Sequence, residues 1–175
     1  ELTEAGIEEA KNAARLIKEF PLDAAYTSVL KRAIHTLNII LEITANGSLP
    51  VTCDAALNER NYGDLQGLNK DETRLKYGDD LFNTWRRSFT VAPPNGESLQ
   101  NTASRVIPFY LSQIQPELTG DNKILIVAHG NSLRALIMYL ENLSPEEIVV
   151  TEIATGVPRI YALDDNLKLL SVTNL

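Results

Sequence analysis

The sequence predicts a three-layer α/β/α sandwich around a mostly parallel sheet, in one domain spanning residues 1–175. Three observations carry that expectation. Short apolar segments alternate along the chain with amphipathic helical patterns, the order that places helices on both faces of parallel strands. The run Ile124-Leu125-Ile126-Val127 has no polar interruption, as suits a strand covered on both sides. That run leads into Ala128-His129-Gly130-Asn131-Ser132, a strand-to-helix junction of the kind that binds ligands at the carboxyl edge of an open α/β sheet.

Each element has its own signal. Thr3 can cap a helix in which Ile7, Ala10, Ala14 and Ile17 share one face, with Glu4, Glu8 and Glu9 near its positive end and Pro21 as a stop. Ala24-Ala25-Tyr26-Thr27 reads as a strand, and Ser28 opens a second helix through Ile34, Leu37 and Leu41. Between Asn46 and Asn69, Gly47, Pro50, Gly63 and Gly67 surround Val51-Thr52-Cys53, which predicts one short strand and a long ordered loop. Lys70 to Tyr77 is helical, and Trp85-Arg86-Arg87 ends another helix before the break at Ala92-Pro93-Pro94-Asn95-Gly96. Ser98 precedes a helix with Leu99, Ala103, Val106, Ile107 and Tyr110 on one face, ending before Pro116. A strand over Lys123 to Ala128 and a helix from Ser132 to about Leu143 follow. Arg159 to Leu163 and Leu167 to Val172 form a hairpin around Asp164-Asp165-Asn166.

Composition narrows the function. A chain of 175 residues, 44% hydrophobic, fills one domain core. The net charge of -7 argues against nucleic acid, whose phosphate backbone calls for a large positive surface. An anionic small molecule remains compatible, because a few cations gathered in a low-dielectric cleft make it locally positive. No apolar run is long enough to span a bilayer, and no basic segment followed by an apolar one marks export. Two histidines and one cysteine offer little from which to build a transition-metal site. Cys53 is expected as a small buried apolar group. The only methionine is Met138, so translation is expected to begin upstream of Glu1.

His129 is the first candidate for chemistry, since Gly130 permits close backbone approach and Ser132 can cap the following helix, leaving amides for an anion. Taken alone, the His-Gly pair fits a core histidine at a tight strand-helix turn better than a ligand site. Arg32 follows the earlier strand-helix junction as His129 follows the later one, and its forked donors match phosphate oxygens, although a solvated arginine beside Lys31 has the same spacing. The loop Leu57-Asn58-Glu59-Arg60-Asn61-Tyr62-Gly63 is too dense in charged, aromatic and glycine residues for a plain connector. Glu59 facing anionic oxygens would suit general acid/base work, and a surface pair with Arg60 is its alternative. Lys70, Arg86 and Arg87 can supply charge for a second anionic group or stand as solvated cations, with Trp85 and Phe89 near enough in sequence to stack on the arginines.

Taken together, the blocks Thr27-Ser28-Val29-Leu30-Lys31-Arg32-Ala33, Leu57-Asn58-Glu59-Arg60-Asn61-Tyr62-Gly63, Gly67-Leu68-Asn69-Lys70, Trp85-Arg86-Arg87, Pro93-Pro94-Asn95-Gly96-Glu97-Ser98, Ala128-His129-Gly130-Asn131-Ser132-Leu133-Arg134 and Ala154-Thr155-Gly156-Val157-Pro158 resemble the cofactor-dependent phosphoglycerate mutases of the histidine phosphatase superfamily. The resemblance runs nearly the whole chain. It implies interconversion of 3-phosphoglycerate and 2-phosphoglycerate, in glycolysis and gluconeogenesis, through a phosphohistidine primed by 2,3-bisphosphoglycerate and without metal. It implies that His129 and Arg32 contact the transferring phosphoryl group and that Glu59 exchanges a proton with the substrate hydroxyl. Tyr62, Lys70, Arg86, Arg87, Gly130 and Asn131 would hold the substrate, in a cytoplasmic homo-oligomer, commonly a dimer.

Two departures accompany the resemblance. The family's phosphorylated histidine lies in an Arg-His-Gly motif on an N-terminal strand, and residues 1–175 contain no such motif. The expected fold is therefore phosphoglycerate mutase-like without that interior strand, which the natural protein is expected to contain, and the 175-residue chain is expected to have little or no mutase activity. The connection Pro93-Pro94-Asn95-Gly96-Glu97-Ser98 is compact where many members carry an insertion, and residues 1–175 stop soon after the final strand. That shorter C-terminal tail is expected to leave the pocket more open to water and to bear on the balance between mutase and phosphatase action. A histidine-type phosphatase, a bisphosphoglycerate synthase and a non-catalytic phosphoanion-binding module are the alternatives.

Overall fold

The computed structural model describes residues 2–175. Its first half alternates as the sequence predicts: α1 (Glu4–Leu16), β1 (Ala24–Thr27), α2 (Lys31–Ile43) and β2 (Val51–Cys53), followed by α3 (Lys70–Tyr77) and α4 (Asp79–Arg87). The second half comprises α5 (Leu99–Phe109), β3 (Ile124–Val127), α6 (Gly130–Leu140), α7 (Pro145–Val150), β4 (Arg159–Leu163) and β5 (Leu169–Asn174). Thr3 caps α1, its hydroxyl accepting from the Gly6 amide at 3.1 Å. Pro108 lies inside α5 and lacks the amide that would continue the ladder, and the following turn widens into a π-turn over Tyr110–Ile114. The short helix α7, capped by Ser144 with Pro145 at its first position, was not foreseen.

Strands β2, β1 and β3 form a parallel sheet in that order, and β4 and β5 form a separate antiparallel hairpin. Alternation along β1 separates the two cores. Ala24 and Tyr26 face Val106, Tyr110 and Leu136 of α5, its π-turn and α6. Ala25 faces Ala14, Leu37 and Leu41 of α1 and α2, on the other side of the sheet. The sandwich is thus three layers deep around a buried central strand.

Two expectations are corrected. β3 pairs with β1 alone among the described residues, so Ile124, Leu125 and Ile126 are half-buried rather than enclosed, and only Val127 is fully covered. Cys53 is exposed, because β2 is an edge strand whose Val51, Thr52 and Cys53 are all solvent-facing. No helix among the described residues is long and apolar enough to cross a membrane.

Candidate active site

Parallel pairing of β1 with β3 puts Thr27 directly opposite Val127, so the segments leaving both strands emerge side by side. Ser28 and His129 meet there: Ser28 Oγ lies 2.7 Å from His129 Nε2, and both residues are buried. α2 starts at Lys31 rather than at Ser28, whose hydroxyl instead accepts from the Leu30 amide at 3.2 Å. Arg32, in the first turn of α2, then donates from Nε to His129 Nδ1 at 3.2 Å. A guanidinium can only donate, so Nδ1 presents its lone pair, and the ring proton sits on Nε2 and points at Ser28 Oγ. Burial, and then the Arg32 charge, push the His129 pKa down to about 4, against a smaller opposing pull from Glu59. The imidazole is therefore neutral at physiological pH.

The loop after β2 closes over this junction in two 3₁₀ turns, Ala55–Leu57 and Gly63–Leu65. Asn58 Oδ1 accepts from the Val29 amide at 3.2 Å, tying the loop to the β1 end. Glu59 Oε1 accepts from the Asn131 amide at 3.1 Å and from the Arg60 amide at 2.8 Å, tying it to the β3 end. Its carboxylate thus occupies the N-terminus of α6, where partial positive charge favours it. Tyr62 OH accepts from Asn131 Nδ2 at 3.0 Å. Gly63 adopts φ +54, and a side chain there would collide with the Pro94 carbonyl, so the compact Pro93–Ser98 connection packs directly on the loop.

The capping arrangement differs from expectation. α6 begins at Gly130, and Ser132 is its third residue, accepting through Oγ from the His129 amide at 3.1 Å. At this helix start the His129 amide goes to Ser132 and the Asn131 amide to Glu59, so the amides are not left wholly for an anion.

Lys70, Arg86 and Arg87, brought in by α3 and α4, line one cavity of about 640 Å³ with Arg60, Tyr62 and Asn131. Arg134 adds a fifth cation to its wall, and none of the residues lining it is acidic. His129, Arg32 and Glu59 lie outside this cavity and beside it, with Asn131 common to both groups. Arg60 does not form the surface pair with Glu59 that its sequence allowed. It is only 7% exposed, stacks over the Tyr62 ring at 4.7 Å and donates from Nη2 to the Trp85 carbonyl at 3.3 Å. Its Nε is the one buried side-chain polar atom without a hydrogen-bond partner among the described residues. Five cations lining one cavity with no acidic residue among them make it locally positive and suited to an anion. Arg86 stacks on Phe82 at 5.4 Å, rather than on the aromatic residues adjacent to it in sequence.

Sequence reasoning missed Ser28 as a partner of His129, having read it as a helix cap, and missed Arg60, which its neighbour Glu59 overshadowed. Among the described residues no group of three or more His, Cys, Asp or Glu side chains is arranged for a metal.

The chain matches the histidine phosphatase superfamily (branch 1) over residues 1–174. It is 55% identical, over 99% of its length and 81% of the relative's, to a 2,3-bisphosphoglycerate-dependent phosphoglycerate mutase of Cytophaga hutchinsonii. A protein of the same name from Afipia carboxidovorans is 52% identical over 100% of this chain and 86% of its own. Among solved structures, the α-ribazole phosphatase of Shigella flexneri superposes with a TM-score of 0.82 at 29% identity, over 100% of this chain and 84% of that one. On these matches the chain belongs to branch 1 of the histidine phosphatase superfamily, on the side of its phosphoglycerate mutases.

Proposed function

We propose that the site binds phosphoglycerates and serves a phosphoglycerate mutase that interconverts 3-phosphoglycerate and 2-phosphoglycerate through a phosphohistidine, as the names of the relatives indicate. The observation that carries the reading is the acid-free cation cavity beside the His129–Arg32 cluster. A phosphatase needs to hold one phosphoryl group, whereas a mutase must keep a second anionic group while the first is transferred. Arg60, Lys70, Arg86 and Arg87 supply that second hold, and the absence of any acidic residue among the lining supports a fit to a ligand with two anionic groups. When bound, 2,3-bisphosphoglycerate supplies the phosphoryl group that primes the enzyme.

The geometry supports the following roles. Arg32 keeps terminal guanidinium nitrogens free while Nε holds His129, so it meets the equatorial oxygens of a transferring phosphoryl group and stabilises the charge spread over them. His129, fixed as the neutral tautomer by Ser28 and Arg32, is a positioning and charge-stabilising group beside it. Glu59, held through Oε1 by the Asn131 and Arg60 amides, offers Oε2 to a substrate hydroxyl and exchanges its proton. Tyr62 and Asn131, hydrogen-bonded to each other, line the cation cavity, and Gly130 lies against the Glu59 carboxylate next to them.

Neither histidine of residues 1–175 is placed as the nucleophile. Both ring nitrogens of His129 are engaged, and His35 is exposed on the flank of α2. We infer that residues 1–175 by themselves bind the substrate without turning it over. We further propose a cytoplasmic location and a dimeric assembly, readings that rest on kinship with the mutases. Phosphorus NMR of the chain with 3-phosphoglycerate and 2,3-bisphosphoglycerate tests the proposal. Line broadening of both ligands without 2-phosphoglycerate is expected. Appearance of 2-phosphoglycerate would overturn the reading of the nucleophile, and unperturbed ligand signals would overturn the substrate class.

A further inference from the structure

Arg105 projects from α5 toward the loop that carries Glu59, and all five of its N–H donors are used. Nε donates to Glu97 Oε1 at 2.9 Å and Nη2 to Glu97 Oε2 at 2.8 Å, a bidentate pair. Nη1 donates to the carbonyls of Ala56 at 2.6 Å and Asn58 at 3.0 Å, and Nη2 also donates to the Glu59 carbonyl at 3.2 Å. Glu97 completes the ring: its Oε2 accepts from the Asn61 amide at 2.9 Å and its own amide donates to the Asn61 carbonyl at 2.7 Å. Arg105 holds the Glu97 carboxyl below the usual carboxylate range. The pair therefore grips the backbone at residues 56, 58, 59 and 61, on both sides of Glu59, from a helix that is itself packed in the core.

We propose that Arg105, with Glu97, is the positioning residue for Glu59, fixing its backbone so that the carboxylate meets the Asn131 amide at the start of α6. The inference deepens the reading of Glu59 as the proton-exchanging group and rests on it for its functional meaning. Without the grip, the segment from Ala56 to Asn61 is still anchored at buried Leu57, at Asn58 through Val29 and at Arg60 through Trp85, but nothing holds the backbone carbonyl of Glu59 itself. Lysine does not replace the residue, because a single ammonium cannot serve a bidentate carboxylate and three carbonyls in one plane.

The Asn131 amide reports the position of the carboxylate directly. In nitrogen-proton NMR spectra its signal should move with pH as Glu59 ionises, and Glu59→Gln should abolish that movement. Arg105→Gln is expected to abolish it as well, and Arg105→Lys to reduce it, while signals from α1 and β4 stay in place. Full movement in a folded Arg105→Gln protein would overturn the proposal, since a merely structural arginine leaves the carboxylate where it is. If Arg105→Gln does not fold, Glu97→Gln decides: it keeps the three carbonyl contacts and the shape of the pair, and a reduced movement supports the proposal whereas an unchanged one overturns it. The signal depends on where Glu59 sits and not on what it does, so failure of the proton-exchange reading would appear in turnover by a Glu59→Gln enzyme and leave this result intact.

Discussion

Ser28 Oγ and His129 Nε2 lie 2.7 Å apart across the ends of two paired parallel strands, and the contact is buried on both sides. It gives the imidazole proton a fixed partner, while Arg32 fixes the opposite nitrogen as an acceptor. The consequence is a histidine that stays neutral where an ordinary one begins to charge.

Folding lowers the His129 pKa from 6.5 to about 4, so between those values the unfolded chain binds more protons than the native one. The stability contributed by the neutral ring is complete above pH 6.5 and is lost as pH falls toward 4. Glu97, whose carboxyl is also held low, adds a further loss at more acid pH. Urea denaturation as a function of pH should show a decline on the order of 3 kcal/mol across the His129 window, and His129→Asn should flatten it.

Replacing Ser28 by alanine leaves the Nε2 proton buried with no acceptor. A destabilisation of about 1–3 kcal/mol is expected. Imidazole nitrogen NMR should show a mixture of tautomers in place of the single Nε2-protonated form, and an unchanged tautomer would mean that Arg32 alone sets it.

Gly63 combines a left-handed φ of +54 with backbone contact to Pro94 that admits no side chain. Gly63→Ala should cost about 2 kcal/mol or more, because both strain and displacement of the 93–96 connection contribute. The same variant should weaken 3-phosphoglycerate binding, as Tyr62 is the neighbouring residue; calorimetry on the folded fraction checks both effects.

How much of this was legible in the sequence depended on the range of the interaction. β1 spans Ala24–Thr27 as read, and α3 spans Lys70–Tyr77 as read, because apolar periodicity, the Asn69 cap and glycine breaks are local signals. The fold class followed from their alternation, and His129, Arg32 and Glu59 were recognised from motif blocks that the structure brings to adjoining junctions. Cys53 and β3 were misjudged since burial depends on which strands lie alongside, and composition does not encode an edge. Arg60 and Arg105 were invisible for a related reason. Their partners lie 25 residues away at Trp85 for the first and 46 to 49 residues away along the 56–59 backbone for the second, separations at which no spacing rule operates.

The central claim is that one ligand spans two anion holds, Arg32 beside His129 and the cation cavity formed with Arg60, Lys70, Arg86 and Arg87. Isothermal titration with 3-phosphoglycerate, inorganic phosphate and glycerate tests it most directly. Arg32→Ala and Arg87→Ala should each weaken 3-phosphoglycerate by roughly 10-fold or more, the loss of one charge-assisted contact. Arg32→Ala should also weaken inorganic phosphate, and Arg87→Ala should weaken glycerate while leaving phosphate nearly unchanged. Equal losses for all three ligands in both variants, or 3-phosphoglycerate binding no tighter than phosphate, would contradict the two-hold account.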